Sequence, residues 1–307
     1  MAGFIQNFLL QYCLPDSYES HARRYFDPVA EALAAQQTQM SRPLFIGLNG
    51  CQGSGKTTLA SYLLAWFSAH NLNAISISLD DFYYGKSQRS ALARTVHPLL
   101  ATRGVPGTHD TELARTVLSK LANGETGIRI PAFNKAQDDR VPESEWRVTQ
   151  QAMDVVLIEG WCWGATPQHE DELKTPVNAM EANDDEAGIW RRYVNECLAT
   201  QYPVLHQFMD VWLMLKAPSF DCVYQWRLEQ EQKLVGALSE AEAKKASGVM
   251  SPDQISRFIQ YYQRLTEHLL VHLPNSSDVV WALDSNRGIE SMVFSEAFSS
   301  LIKDGVS

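Results

Sequence analysis

The stretch PLFIGLNGCQGSGKTTLASYLLAWFSAH, residues 43–70, carries three signals in succession. A short apolar run reads as a buried strand. The octapeptide GCQGSGKT at 50–57 fits GxxxxGK(S/T), and the residues after it read as a helix, which is the context a phosphate-binding loop requires. Glycines let the main chain turn so that its amide N–H groups converge on phosphate oxygens, and the following helix adds its positive end. Gly50, Cys51, Gln52, Gly53, Ser54, Gly55, Lys56, Thr57 and Thr58 are therefore read as the nucleotide-binding segment. Lys56 is expected to bridge the β- and γ-phosphates of the nucleotide, and Thr57 to ligate Mg²⁺.

Working outward, further strand-sized apolar runs follow: AISISL at 74–79, MDVVLIEG at 153–160, MDVWLMLKAP at 209–218 and, more weakly, SDVVWAL at 277–283. Continuous apolar strands separated by helical stretches predict an α/β P-loop fold, a mostly parallel sheet with helices on both faces. Residues 17–40 read as one helix in an N-terminal helical extension (1–40). The motif-bearing core spans 41–290, and 291–307 reads as a C-terminal helix or tail. Two additions interrupt the core. An acidic insert at 165–190, bearing Glu170, Asp171, Glu172, Glu181, Asp184, Asp185 and Glu186 against Lys174 alone, reads as an exposed, solvated loop. A helical lid is placed at 218–271, broken near SGVMSPD; there Ser251 and Pro252 look like the cap and first residue of a helix with Ile255, Phe258, Ile259, Tyr262, Leu265 and Leu269 on one face.

The chain has 307 residues, 45% hydrophobic and 20% charged, which excludes collagen-like, low-complexity and disordered readings. Its 26 basic and 36 acidic residues leave a net charge of −10, which argues against a nucleic-acid or anionic-membrane partner. No apolar run is long enough to span a bilayer, and no Lys or Arg precedes Arg23, so neither a membrane segment nor a signal peptide is expected. The five cysteines are scattered, with no CxxC, and fit free thiols in the cytoplasm.

A P-loop leaves the fate of the phosphate open among a kinase, a GTPase switch and an ATPase. A guanine reader would need NKxD; NKAQD at 134–138 has its aspartate one residue late, and no LSGGQ-like signature is present. SLDDFYYGK at 78–86 follows the second strand, where strand ends face the ligand crevice, so Asp80 and Asp81 should lie near the γ-phosphate. Transfer to an alcohol needs a carboxylate that orients the hydroxyl and takes its proton. Asp80 is chosen, against an N-cap or Mg²⁺-water role; Asp81 is the second candidate, and Phe82 and Tyr83 would wall the acceptor pocket. Glu159, ending another apolar strand, is read as a Mg²⁺-side carboxylate, because an acid there is costly without a cation. Trp161 and Trp163 are read as packing residues.

GCQGSGKTTL, SLDDFY, GTHD (107–110), PAFNKAQDDR (131–140), IEGW (158–161), PVNAME (176–181), APSFDCVYQWRLEQEQKL (217–234) and MSPDQISRFIQYYQRLT (250–266) together resemble the D-glycerate 3-kinase-like P-loop kinases, relatives of uridine kinase, pantothenate kinase and phosphoribulokinase. The resemblance covers about residues 40–290. It implies ATP, Mg²⁺ and a small hydroxylated acceptor, and it maps the superfamily's catalytic base onto Asp80. A small acid such as glycerate needs cationic partners for its carboxylate: Lys135, Arg140 and Arg103 are the candidates, with His109 and Asp110 for hydroxyl contacts. Arg227, in the lid, would reach the transferring phosphoryl on closure, or else pair with Glu231. The KAQDDR run departs from the glycine-bearing stretch of the plant enzymes, with Asn134 where aspartate is usual. D-glycerate to 3-phosphoglycerate is the expected reaction; a nucleoside, pantothenate or another sugar acid as acceptor, or a P-loop ATPase module acting on a protein, are the alternatives.

Overall fold

A computed structural model describes residues 2–237 and 251–305, with side chains for 3–229 and 251–302. The stretch 238–250, most of the expected break near SGVMSPD, and the side chain of Glu231 lie outside the described residues.

Among the described residues ten strands are present: β1 (Leu44–Gly50), β2 (Ala74–Ser78), β3 (Arg129–Ile130), β4 (Phe133–Asn134), β5 (Asp139–Arg140), β6 (Arg147–Val148), β7 (Val155–Gly160), β8 (Val211–Lys216), β9 (Val279–Leu283) and β10 (Ile289–Phe294). Six form the main sheet in the order β10-β9-β8-β1-β7-β2, all parallel except β10, which runs antiparallel to β9. β1 is central and every residue of it is buried. Its side chains alternate between faces: Leu44, Ile46 and Leu48 join one core with Leu59, Leu63 and Phe67, while Phe45 joins the other with Leu79, Phe82 and Trp161. Covering both faces is what makes this strand, and its neighbours β7 and β8, continuously apolar.

The helix Lys56–Ala69 buries Leu59, Tyr62, Leu63, Trp66 and Phe67. Gly55 before it has φ +92°, a left-handed conformation that a side chain rarely adopts. The N-terminal extension packs on this helix: Tyr62 donates to Asp27 at 2.5 Å, and its ring meets Phe8 edge-on at 5.4 Å. Ser251 and Gln254 cap each other at the start of the helix Pro252–His272, whose expected apolar face is buried at Ile255, Ile259, Tyr262, Leu265 and Leu269. The described cysteines are all free. Among the described residues no helix is long and apolar enough to cross a membrane.

Three expectations need correction. Residues 17–40 form two helices, Ser17–Tyr25 and Asp27–Thr38. Pro28 lacks an N–H and its ring would clash with the preceding turn, so one helix ends and the next begins around Phe26. The boundary drawn at residue 290 falls inside β10, an edge strand that pairs Met292 with Trp281; none of its residues is buried, which hid it. The helix Glu296–Gly305 does follow. The acidic insert is not uniformly solvated, since Glu181 and Asp185 are buried. Glu181 pairs with Arg264 at 2.6 Å and Asp185 with Arg191 at 3.0 Å, and that pairing is what permits a carboxylate inside.

Candidate active site

The carboxyl ends of β1, β7 and β2 converge. Glu159 of β7 sits in register with Leu48 of β1 and Ser78 of β2, just below the phosphate loop. Gly50 and Gly53 are tightly enclosed: a Cβ would come within 2.5 Å of Ser54 Oγ at the first and 2.6 Å of Trp226 Cβ at the second. Ser54 Oγ and Gln52 Oε1 are buried with no hydrogen-bond partner, as in a cradle shaped for a group outside the chain.

Beyond β2 the chain turns through Leu79–Phe82. Ser78 Oγ accepts from the Asp80 amide at 3.3 Å, so the cap of this turn is Ser78 and the Asp80 carboxylate is left for other partners. Tyr83 donates to its Oδ1 at 2.9 Å, and Lys135 lies 2.7 Å from its Oδ2. Burial alone would raise this carboxyl. Lys135, Lys56 and the Tyr83 hydroxyl outweigh it and hold Asp80 below the usual carboxylate range. Asp81 behaves oppositely: burial pushes it up, although it accepts from the Phe133 amide at 3.3 Å.

Lys135 is brought to Asp80 by a hairpin of β4 and β5. Asn134 Oδ1 accepts from the amides of Ala136 and Gln137, both at 3.0 Å, and Asp138 takes φ +54°. The Asn134 side-chain oxygen is thus spent on building the turn. Asp138 in turn holds the buried Arg89 at 2.9 Å and also pairs with Arg103.

A cavity of about 230 Å³ opens here, lined by Gln52, Gly53, Lys56 and Thr57 on the loop side, Asp80, Tyr83, Arg103 and Lys135 opposite, and Trp161, Arg227, Phe258 and Tyr262 above. Four cations and one carboxylate line it. Arg227 sits 5.9 Å from the ring of Phe258. Trp161 donates to the carbonyl of Gly104 at 3.0 Å, so it does more than pack. Glu159 is buried beside Lys56, at 3.8 Å, and its Oε2 lacks a hydrogen-bond partner. A buried carboxylate oxygen without a hydrogen-bond partner, at the strand end below the phosphate loop, fits a hard divalent cation with its waters. On the other side of the loop, Ser54, Gly55 and Thr58 line a second cavity of about 190 Å³, with Tyr18, His21 and Arg287 across from them.

Asp81, His109, Asp110 and Arg140 do not line the main cavity, contrary to expectation. Arg140 donates to the Tyr83 carbonyl at 3.0 Å and pairs with Asp110 at 3.2 Å, while Asp110 caps the helix Thr111–Ala122 by accepting from Leu113 N. His109 is buried, stacked on Tyr83 at 4.5 Å with its Nδ1 2.6 Å from the Tyr202 hydroxyl. Burial, only partly opposed by Asp80, pushes its imidazole down to about 4, so the ring is neutral. These residues clamp the segment carrying Asp80 and Tyr83.

Arg287 had no sequence signal, because it lies in the turn between β9 and β10 outside any motif. It donates to the Gly53 carbonyl at 2.8 Å, bonds Glu229 at 2.6 Å and covers the Trp226 ring at 5.3 Å.

No family model matches the chain. An uncharacterized kinase of Schizosaccharomyces pombe is 30% identical over 276 residues, covering 85% of this chain and 95% of that protein. The chloroplastic D-glycerate 3-kinase of Arabidopsis thaliana is 30% identical over 246 residues, 77% of this chain, which spans 50% of that protein. Among solved structures, D-glycerate 3-kinase from Cryptococcus neoformans superposes with a TM-score of 0.67 at 26% identity, covering 87% of this chain and 98% of that one. More distant relatives include uridine kinase of Leuconostoc citreum, 25% identical over 181 residues. With the phosphate loop at the end of the central strand and these similarities along most of its length, the chain belongs to the D-glycerate 3-kinase-like family of P-loop kinases.

Proposed function

We propose that this protein transfers the γ-phosphoryl group of ATP to a hydroxyl of a small acid, with D-glycerate the first candidate and 3-phosphoglycerate the product. The observation that carries the reading is the cavity in which Asp80 faces the phosphate loop among Lys56, Arg103, Lys135 and Arg227. The excess of cations suits a polyphosphate together with an acceptor that bears its own negative charge.

In this account the loop amides and Lys56 hold the β- and γ-phosphates, and the nucleoside extends over Gly55 and Thr58 into the second cavity. Thr57 and Glu159 would hold Mg²⁺, which when bound neutralises charge on the phosphates. Asp80 aligns the acceptor hydroxyl. As the oxygen–phosphorus bond forms and the bond to the β-phosphate oxygen breaks, the hydroxyl proton passes to Asp80 and ADP leaves. Because Asp80 is held ionised, it is ready to accept a hydrogen bond from the incoming alcohol at neutral pH. Lys135 and Arg103 take the acceptor carboxylate, and Arg227 supports charge on the transferring group while the lid excludes water.

The test is ADP release measured across D-glycerate, other hydroxy acids, pantothenate and nucleosides. Strong stimulation by one hydroxy acid is expected. Stimulation by a nucleoside alone would overturn the acid assignment, and indifference to every alcohol would favour an ATPase module acting on a protein.

A further inference from the structure

Near its C-terminal end the helix Pro252–His272 carries His268 and His272, one turn apart on the same face. Glu172, from the acidic insert, reaches the same place. One ligand atom from each of the three lies within 4.8 Å of the others, and among the described residues no other three His, Cys, Asp or Glu side chains converge in this way. His268 is buried, while Glu172 and His272 are exposed, so an ion would enter from solvent onto a shielded floor. A cavity of about 80 Å³, lined by Thr166, His268, His272 and Ser276 among others, lies alongside.

The surroundings already orient the ligands. Glu172 Oε2 accepts from the His169 amide at 2.8 Å and Oε1 from Gln168 at 3.3 Å, and each oxygen keeps a further lone pair. Thr166 Oγ1 lies 3.3 Å from Nε2 of His268. Outer contacts of this kind fix the rings and carboxylates of metal sites. A tetrahedral zinc site needs donor atoms about 3.3 Å apart, so the triad would draw closer on binding an ion. Two imidazoles and one carboxylate suit zinc, whereas Mg²⁺ prefers oxygen donors in octahedral geometry.

We infer that Glu172, His268 and His272 form a divalent transition-metal site, with zinc the fitting ion, that staples the acidic insert to the lid helix. Arg264, one turn earlier, already ties the two together by donating to the Glu172 carbonyl at 3.0 Å and to Glu181. The metal is a second clamp on the helix whose Phe258 and Tyr262 line the main cavity. The site stands apart from that cavity and does not depend on which acceptor is phosphorylated.

Tag-free, EDTA-treated protein without nucleotide is titrated with Zn²⁺ by calorimetry and with Co²⁺ by visible absorption. The expected result is one ion per chain, d–d bands of tetrahedral intensity, and a Tm that rises with Zn²⁺. Losing a ligand should cost at least as much as losing an outer contact, so His272→Ala and Glu172→Gln should each weaken Zn²⁺ binding by about 100-fold or more. His169→Ala, in the same loop but outside the triad, should leave it unchanged. No stoichiometric binding, or equal binding by the His272→Ala/Glu172→Gln double variant, would overturn the site.

Discussion

Gly53 shows how little room the phosphate loop leaves. Its φ of +79° is left-handed and a Cβ would stand 2.6 Å from Trp226 Cβ, while Arg287 pins its carbonyl from behind. Gly53→Ala must either unwind the loop or push back the helix Phe220–Ala237, which carries Trp226. Overpacking of this kind costs about 1–3 kcal/mol, so ATP affinity should fall about 10- to 100-fold, read by nucleotide titration, with the fold retained. Unchanged affinity would mean the loop is not held as described. At this scale the sequence was informative where chemistry is local: a glycine in GxxxxGK(S/T) announces its own backbone. Arg140, Asp110 and His109 were assigned to the acceptor from their neighbours in sequence, yet their charges and hydrogen bonds are turned on Tyr83, Leu113 and Tyr202. Nothing in a residue's type says which of several nearby polar groups it will satisfy.

Elements repeat that contrast. The helix Pro252–His272 was readable in advance, because its period of 3.6 and its Ser251 cap are written in consecutive residues. The burial of Glu181 was not, since its partner Arg264 lies 83 positions away and only the fold makes them meet. Arg264 donates to both Glu181 oxygens and to the carbonyls of Glu172 and Thr175, and so binds the insert to the lid. Arg264→Ala leaves a buried carboxylate uncompensated and should destabilise the protein by about 3–5 kcal/mol in urea titrations. Replacing both partners with apolar residues, Arg264→Met with Glu181→Leu, should recover most of that loss. A loss under about 1 kcal/mol in the single variant would show the pair to be incidental. The hairpin of β4 and β5 works likewise: its Asn134 turn is local, but its delivery of Lys135 to Asp80 is a consequence of docking.

For the whole molecule, a mostly parallel sheet covered by helices was legible from the run of apolar strands, but the strand order was not, and the antiparallel edge β10 escaped because none of its residues is buried. The clamp beneath the site also sets a pH dependence. His109 is neutral in the folded protein down to about 4, whereas an unfolded histidine takes up a proton near 6.5. Between these values the unfolded state binds more protons, so stability is full above about pH 6.5 and falls as pH drops, by up to about 1.4 kcal/mol per unit. Urea midpoints at pH 7 and pH 5 should show this fall, and His109→Gln should reduce it, leaving the share of His206, which burial also pushes down to about 4; a slope unchanged in the variant would contradict the assignment. The clamp, the lid and the sheet ends have one common consequence, an ionised Asp80 held across a cavity from the phosphate loop. The direct measurement is steady-state turnover of ATP with the best acceptor for Asp80→Asn against the parent protein, with nucleotide binding determined separately. The account expects kcat to fall by about 10²- to 10⁴-fold with nucleotide affinity nearly kept; turnover within threefold of the parent would contradict it.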